Sequence, residues 1–145
     1  MNENYPIEVL DDDDDDGTMV RNVSDLRDEV VGHRIVNVEK ARPPETDWGY
    51  RNDALAITLD NGKVVYLENT DDCCAITELQ SFLWNAEKID HVITGVGTTD
   101  GYQTWHIYAD MGDVLAIQLE WSCGNPFYYG YGFNITVTDK PLDGE

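Results

Sequence analysis

Basic residues are scarce in this chain of 145 residues. Nine Lys and Arg stand against 29 Asp and Glu, a formal net charge of −20. Phosphate backbones and anionic membranes are held by clustered Lys and Arg, so direct nucleic-acid binding and membrane-surface binding are both excluded as expectations. Long apolar runs are missing as well. The longest span a few residues, such as Val114–Ile117, where a membrane-spanning helix needs about 20. Met1 to Pro6 show neither a basic region nor an apolar stretch, which argues against a secretory signal and for a cytoplasmic location.

Cysteine is also sparse. There are three, an odd number, and Cys73 and Cys74 are adjacent. Neighbours bridge poorly because the geometry is strained, and a secreted disulfide framework shows an even, spaced set. All three are expected to be reduced. No phosphate-binding loop, GxSxG elbow, HExxH helix or dinucleotide fingerprint occurs. The reading is therefore of a protein that is not an enzyme and takes no cofactor. His33, His91 and His106 fall in or beside expected strands and read as structural.

What the chain has in abundance is acid. Asp11, Asp12, Asp13, Asp14, Asp15 and Asp16 form an unbroken run. Residues 1–20 read as an acidic tail kept extended by self-repulsion, and 21–145 as a single globular domain. Asp12-x-Asp14-x-Asp16-Gly17 matches the opening of an EF-hand loop. Its twelfth position, however, is Val23, where a bidentate Glu should close the site. The run is kept instead as a candidate contact for a basic partner surface.

Ser24 is placed to cap a helix carrying Leu26, Val30 and Val31, with Gly32 as its stop. A strand follows over His33–Val38, then a loop over Ala41–Asp53. Leu55, Ile57 and Leu59 alternate toward Asn61-Gly62, the strongest short hairpin signal. A two-residue type I′ turn there pairs Leu59 with Val64 and Ile57 with Tyr66. Ile76, Leu79, Leu83 and Ala86 recur at spacings of three and four, which predicts a second helix over Cys73–Glu87. Strands are expected over His91–Val96, Gln103–Ala109, Val114–Trp121 and Tyr131–Thr138. The expected fold is α+β: an antiparallel sheet of six or seven strands with two helices packed on one face.

Two further stretches are candidate sites. Cys73 and Cys74 would open the second helix, where a helix dipole favours thiolate. Asp71 and Asp72 oppose that, and adjacent cysteines chelate one zinc poorly, so they are weak metal or redox candidates. Phe127, Tyr128, Tyr129 and Tyr131 lie in a Gly-interrupted aromatic run. Tyr-rich loops offer large contact area at small entropy cost, which makes these residues partner-binding candidates. Cross-strand aromatic pairing is the competing structural reading.

Several of these pieces together resemble a small uncharacterised domain of tailed phages, notably those of actinobacteria, and of some bacteria. They are Leu26–Val38, the hairpin followed by Asp72-Cys73-Cys74, Thr104-Trp105-His106-Ile107-Tyr108, Gly112, Trp121, and Gly124 to Tyr129. The resemblance spans about residues 25–138. Similar domains often carry a His three residues before the Asp-Cys-Cys, and Asn69 stands there in this chain. That departure removes the natural metal or base partner of the thiols and lowers both the metal and the redox or nucleophile readings. The resemblance implies a phage origin and a bacterial host cytoplasm, and no activity. The expected function is a non-enzymatic interaction module on a host protein with a basic surface. A nucleic-acid mimic that inhibits a host DNA-binding protein, and a metal or redox domain, are the alternatives. Oligomeric state is left open.

Overall fold

The computed structural model describes residues 7, 15, 17–43, 52–72, 75–85, 87, 90–110, 112–122 and 131–139. It is mostly β. Among the described residues one helix, α1 (Thr18–Val30), is followed by nine strands: β1 (Ile35–Lys40), β2 (Ala54–Leu59), β3 (Val64–Glu68), β4 (Thr70–Asp72), β5 (Ala75–Trp84), β6 (Gly95–Thr99), β7 (Thr104–Ala109), β8 (Gly112–Ser122) and β9 (Asn134–Thr138). They form two antiparallel sheets, of order β1-β2-β3-β9 and β4-β5-β8-β7-β6. The chain crosses from the first sheet to the second at Asn69, and returns through Tyr131–Phe133 to add β9 beside β3. This corrects the expectation of an α+β fold with one sheet and two helices.

α1 starts six residues before Ser24. Met19, Val23, Leu26 and Val30 recur at spacings of three and four, so one face of the helix is buried. Asp15 Oδ1 accepts the Met19 backbone N–H at 3.1 Å, satisfying one of the donors that a helix start leaves open. Asn22, on the buried face, bonds Phe133 twice, donating to its carbonyl at 2.9 Å and accepting its N–H at 2.8 Å. The helix is thereby fixed to the entrance of β9. Ile7 packs against the same core.

The segment expected as a second helix is β5, and the reason is a bulge. Leu79 pairs with Leu119 and Ser81 with Gln118, which leaves Gln80 as the extra residue. Ala75, Thr77 and Leu79 sit on the core side before the bulge, Phe82 and Trp84 after it. One inserted residue turns the strand's period of two into a spacing of three, from Leu79 to Phe82. That spacing imitates a helical face. Leu83, assigned to the buried face of the expected helix, is 74% exposed.

The β2–β3 hairpin forms where expected but one residue out of register. Ile57 pairs with Val65 and Thr58 with Val64. Gly62 N–H donates to Leu59 carbonyl at 3.0 Å, and Leu59 N–H to Lys63 carbonyl at 2.9 Å. Of the two turn residues, only Gly62 has positive φ (87°). The connection is thus a three-residue loop, a turn closed by a left-handed glycine, rather than a type I′ turn.

Both sheets and α1 feed one core. Its largest fully buried side chains include Trp105, Tyr102, Met19, Leu55, Ile57, Ile107 and Leu115. Trp105 meets Phe133 edge to face at 5.3 Å, and Trp121 stacks on Tyr131 at 5.7 Å. No helix among the described residues is long and apolar enough to cross a membrane.

Candidate functional site

A strand presents alternate side chains to opposite faces, so each sheet has a second face besides the one on the core. On the four-stranded sheet the middle of that second face, over β2 and β3, is covered. Ala54, Ala56, Val64 and Tyr66 point there and are buried, with Ala41 against them. Burial pushes the Tyr66 phenol above its ordinary pKa of 10.0, and nearby Glu39 adds to the shift.

The second face of the five-stranded sheet is different. Register sets its side chains in rows: Glu78–Glu120, then Ser81–Gln118–Thr104–Thr99, then Leu83–Ala116–His106–Gly97, then Asp113–Tyr108–Gly95. Ser81, Leu83, Gln118 and Glu120 are exposed, so the β5–β8 half is open. Glu78 and Glu120 stand directly opposite each other. Like charges so placed destabilise a strand pair by roughly 0.2–1 kcal/mol. The five strands contain no Lys or Arg. Among the described residues, the basic side chains that do pair with acids, Arg34 with Asp60 and Arg42 with Asp53, flank the four-stranded sheet.

The β6–β7 half of this face is more enclosed. The Tyr108 ring lies across Gly95, where a Cβ would collide with the phenol. His106 lies beside it with a side chain 12% exposed, between the small residues Gly97 and Ala116. Its Nδ1 is 2.8 Å from Asp113 Oδ2, and its Nε2 is 2.9 Å from Thr99 Oγ1. The chain after Thr99 is strained: Asp100 (φ 61°) and Tyr102 (φ 68°) are left-handed, around Gly101 (φ 64°). Left-handed backbone costs about 1–2 kcal/mol for each non-glycine residue. Two indoles hold the turn in place. Trp121 Nε1 donates to Gly101 carbonyl at 2.8 Å, and Trp105 Nε1 to Tyr102 carbonyl at 3.1 Å.

A pocket of about 500 Å³ lies elsewhere, at the seam between the sheets. Its lining includes Asn52, Glu68, Asn69, Asp71 and Asn134. Most of these groups are turned to one another. Glu68 accepts from Asn52 N–H at 2.7 Å and Asn134 Nδ2 at 2.9 Å. Asn52 Nδ2 donates to Asn69 carbonyl, and Asn69 Oδ1 accepts the Leu79 N–H. Thr70 and Thr77 hydroxyls hold Gly132 from both sides at 2.8 and 2.6 Å. The pocket's polar lining serves to join the sheets.

The residues nominated from sequence divide accordingly. Of the six aspartates only Asp15 is described. It is 4% exposed and accepts the Tyr131 hydroxyl at 2.6 Å. Tyr131 is itself buried. These two nominated residues therefore bond each other inside the domain. Asp11, Asp12, Asp13, Asp14 and Asp16, and Phe127, Tyr128 and Tyr129, lie outside the described residues. So do Cys73 and Cys74. The helix-dipole argument for their thiols lapses, because the chain continues from Ala75 as a strand. Among the described residues no group of three or more His, Cys, Asp and Glu is placed to hold a metal. Glu78, Thr99, Asp113 and Glu120 were not singled out from sequence, and Leu83 was assigned to a buried helical face. Finding them needed the bulge and the order of strands in the sheet.

The family model described as Domain of unknown function (DUF7448) matches residues 28–135, and the chain belongs to that family. No curated protein and no solved structure matches the chain.

Proposed function

We propose that this member of the DUF7448 family is a binding module for a protein with a basic surface, and that the open β5–β8 half of the five-stranded sheet is its contact face. One observation carries the reading: an exposed leucine, Leu83, shares an open sheet face with the facing acids Glu78 and Glu120, on strands with no Lys or Arg. An apolar centre with a polar rim is the usual anatomy of a protein contact. The acids would steer a cationic partner, while Leu83 and Ala116 would supply the water-excluding centre. The net charge of −20 extends the same field over the molecule. The resemblance to domains of tailed phages supports a bacterial host protein as the partner, met in the host cytoplasm.

Capture from nuclease-treated bacterial lysate at low and high salt tests this. Wild type is compared with Leu83→Asp and with the double variant Glu78→Lys/Glu120→Lys. A single partner retained by wild type and lost by both variants supports the reading. Capture that neither variant alters overturns it. The alternative partner class is a nucleic-acid-binding protein whose groove this chain would fill as a mimic. It is distinguished by steep loss of affinity with salt and indifference to Leu83→Asp.

A further inference from the structure

We infer that Thr99, His106 and Asp113 form a nucleophile–base–orienter relay, in which the Thr99 hydroxyl accepts an acyl group from a small carboxylic ester. The argument begins with the tautomer. An ionised carboxylate only accepts hydrogen bonds, so the 2.8 Å contact to Asp113 Oδ2 sets the proton on His106 Nδ1. In the neutral ring Nε2 then carries the lone pair, and Thr99 Oγ1–H donates to it at 2.9 Å. A hydroxyl on a base, with the base held by a third group, is the general signature of an activated nucleophile.

The other two histidines serve as internal comparisons. His33 Nδ1 meets Asp60 at 3.2 Å, and His91 Nδ1 meets Asp110 at 3.1 Å. Both rings are about a third exposed, at 35% and 34%, against 12% for His106. Among the described residues, only His106 has a hydroxyl on its second ring nitrogen. A second observation is independent of these bonds. Thr99 ends β6 directly before the left-handed Asp100–Tyr102 turn, which the buried Trp105 and the partly buried Trp121 indoles hold. Strain of this kind collects at functional sites. Thr99 itself is half-buried, so part of the residue is open to solvent.

The step balances as follows. Thr99 Oγ1 bonds to the ester carbonyl carbon while its proton passes to His106 Nε2. The bond from that carbon to the leaving oxygen breaks, and Nε2 returns the proton to the departing alcohol. Water, with His106 again as base, then attacks the acyl-threonine, releasing the carboxylic acid and restoring the hydroxyl. Asp113 stays ionised throughout.

Incubation of the full chain with p-nitrophenyl acetate tests the relay, reading nitrophenol release and mapping the acetyl group by peptide mass spectrometry. The expected result is an acetyl group on Thr99, or turnover that needs Thr99. Thr99→Val should lose the reaction and Thr99→Ser should keep it. His106→Gln should slow it by about 10²-fold or more. His91→Gln, at a pair lacking the hydroxyl, should leave it unchanged. Near-ultraviolet circular dichroism confirms that each variant folds. Acetylation confined to amines, or a folded Thr99→Val variant that reacts as fast as wild type, would overturn the relay and leave the three residues as cross-strand bonds.

Discussion

The two sheets share one core yet treat their other faces in opposite ways. The four-stranded sheet buries the middle of its second face: Ala54, Ala56, Val64 and Tyr66 are all 3% exposed or less. The five-stranded sheet leaves Ser81, Leu83, Gln118 and Glu120 exposed on its second face. Covered sheets read as continuous apolar runs, half-open ones as alternation. β3, Val64–Glu68, is buried at every position, whereas β8 alternates buried and open residues from Ile117 to Glu120. Small and aromatic residues close one face, and acids with a histidine relay occupy the other. The first sheet buries apolar side chains on both faces of its central strands, and the second buries them on one.

Placing the same residue on the two second faces breaks the comparison most sharply. Ala56→Glu forces a carboxyl into a covered layer and should cost about 2–5 kcal/mol, through overpacking and burial of an unpaired polar group. Gln118→Glu, on the open face, should stay within about 0.5 kcal/mol. Urea denaturation of the two variants measures the contrast, and equal losses would remove the distinction between the faces.

Within the five-stranded sheet, Gly95→Ala separates the enclosed half from the open half. Its new methyl group meets the Tyr108 ring, and the expected loss is about 1–3 kcal/mol. Ala116→Gly, on the open half, should cost less, about 1 kcal/mol from backbone freedom.

The covered face also has a pH signature. The Tyr66 phenol is held above 10.0 in the fold by burial first and by Glu39 second. Below about pH 10 both folded and unfolded chains keep that proton, and the group adds no pH dependence. Above it, the unfolded chain releases the proton first, so stability falls as pH rises toward the folded value. Tyr66→Phe removes this contribution. The difference in stability between wild type and variant should be flat from about pH 7 to 9 and turn against wild type above about pH 10. A difference that does not change with pH would show Tyr66 to be solvated.

The smallest effect expected is a gain. Glu78→Lys replaces a like-charge pair opposite Glu120 with an attractive one and should stabilise by about 0.2–1 kcal/mol. It should also weaken capture of a basic partner. Stabilisation without that loss would separate the acid pair from the contact face.

Much of the strand content was legible because Leu55, Ile57 and Leu59 alternate with smaller residues, and because Thr104–Ala109 is rich in aromatic and β-branched side chains. The hairpin at Asn61-Gly62 was legible because few sequences take positive φ. Its register was not. Asn-Gly closes two-residue and three-residue loops alike, and the choice depends on how β2 and β3 meet the core. β5 was misread because the bulge at Gln80 is a property of its pairing with β8, and no local propensity encodes it. His106 was noticed, but its partners Thr99 and Asp113 sit on neighbouring strands joined by turns whose lengths set which residues meet.

The sequence alone determined the charge, the shortage of cations, the amphipathic helix and the presence of many strands. These follow from composition and from contacts between residues close along the chain. Only the tertiary structure decided the split into two sheets, the burial of Asp15 against Tyr131, the covering of one sheet's second face, and the meeting of Thr99, His106 and Asp113. Those depend on register and packing between distant segments, where a shift of one residue moves a side chain from core to solvent.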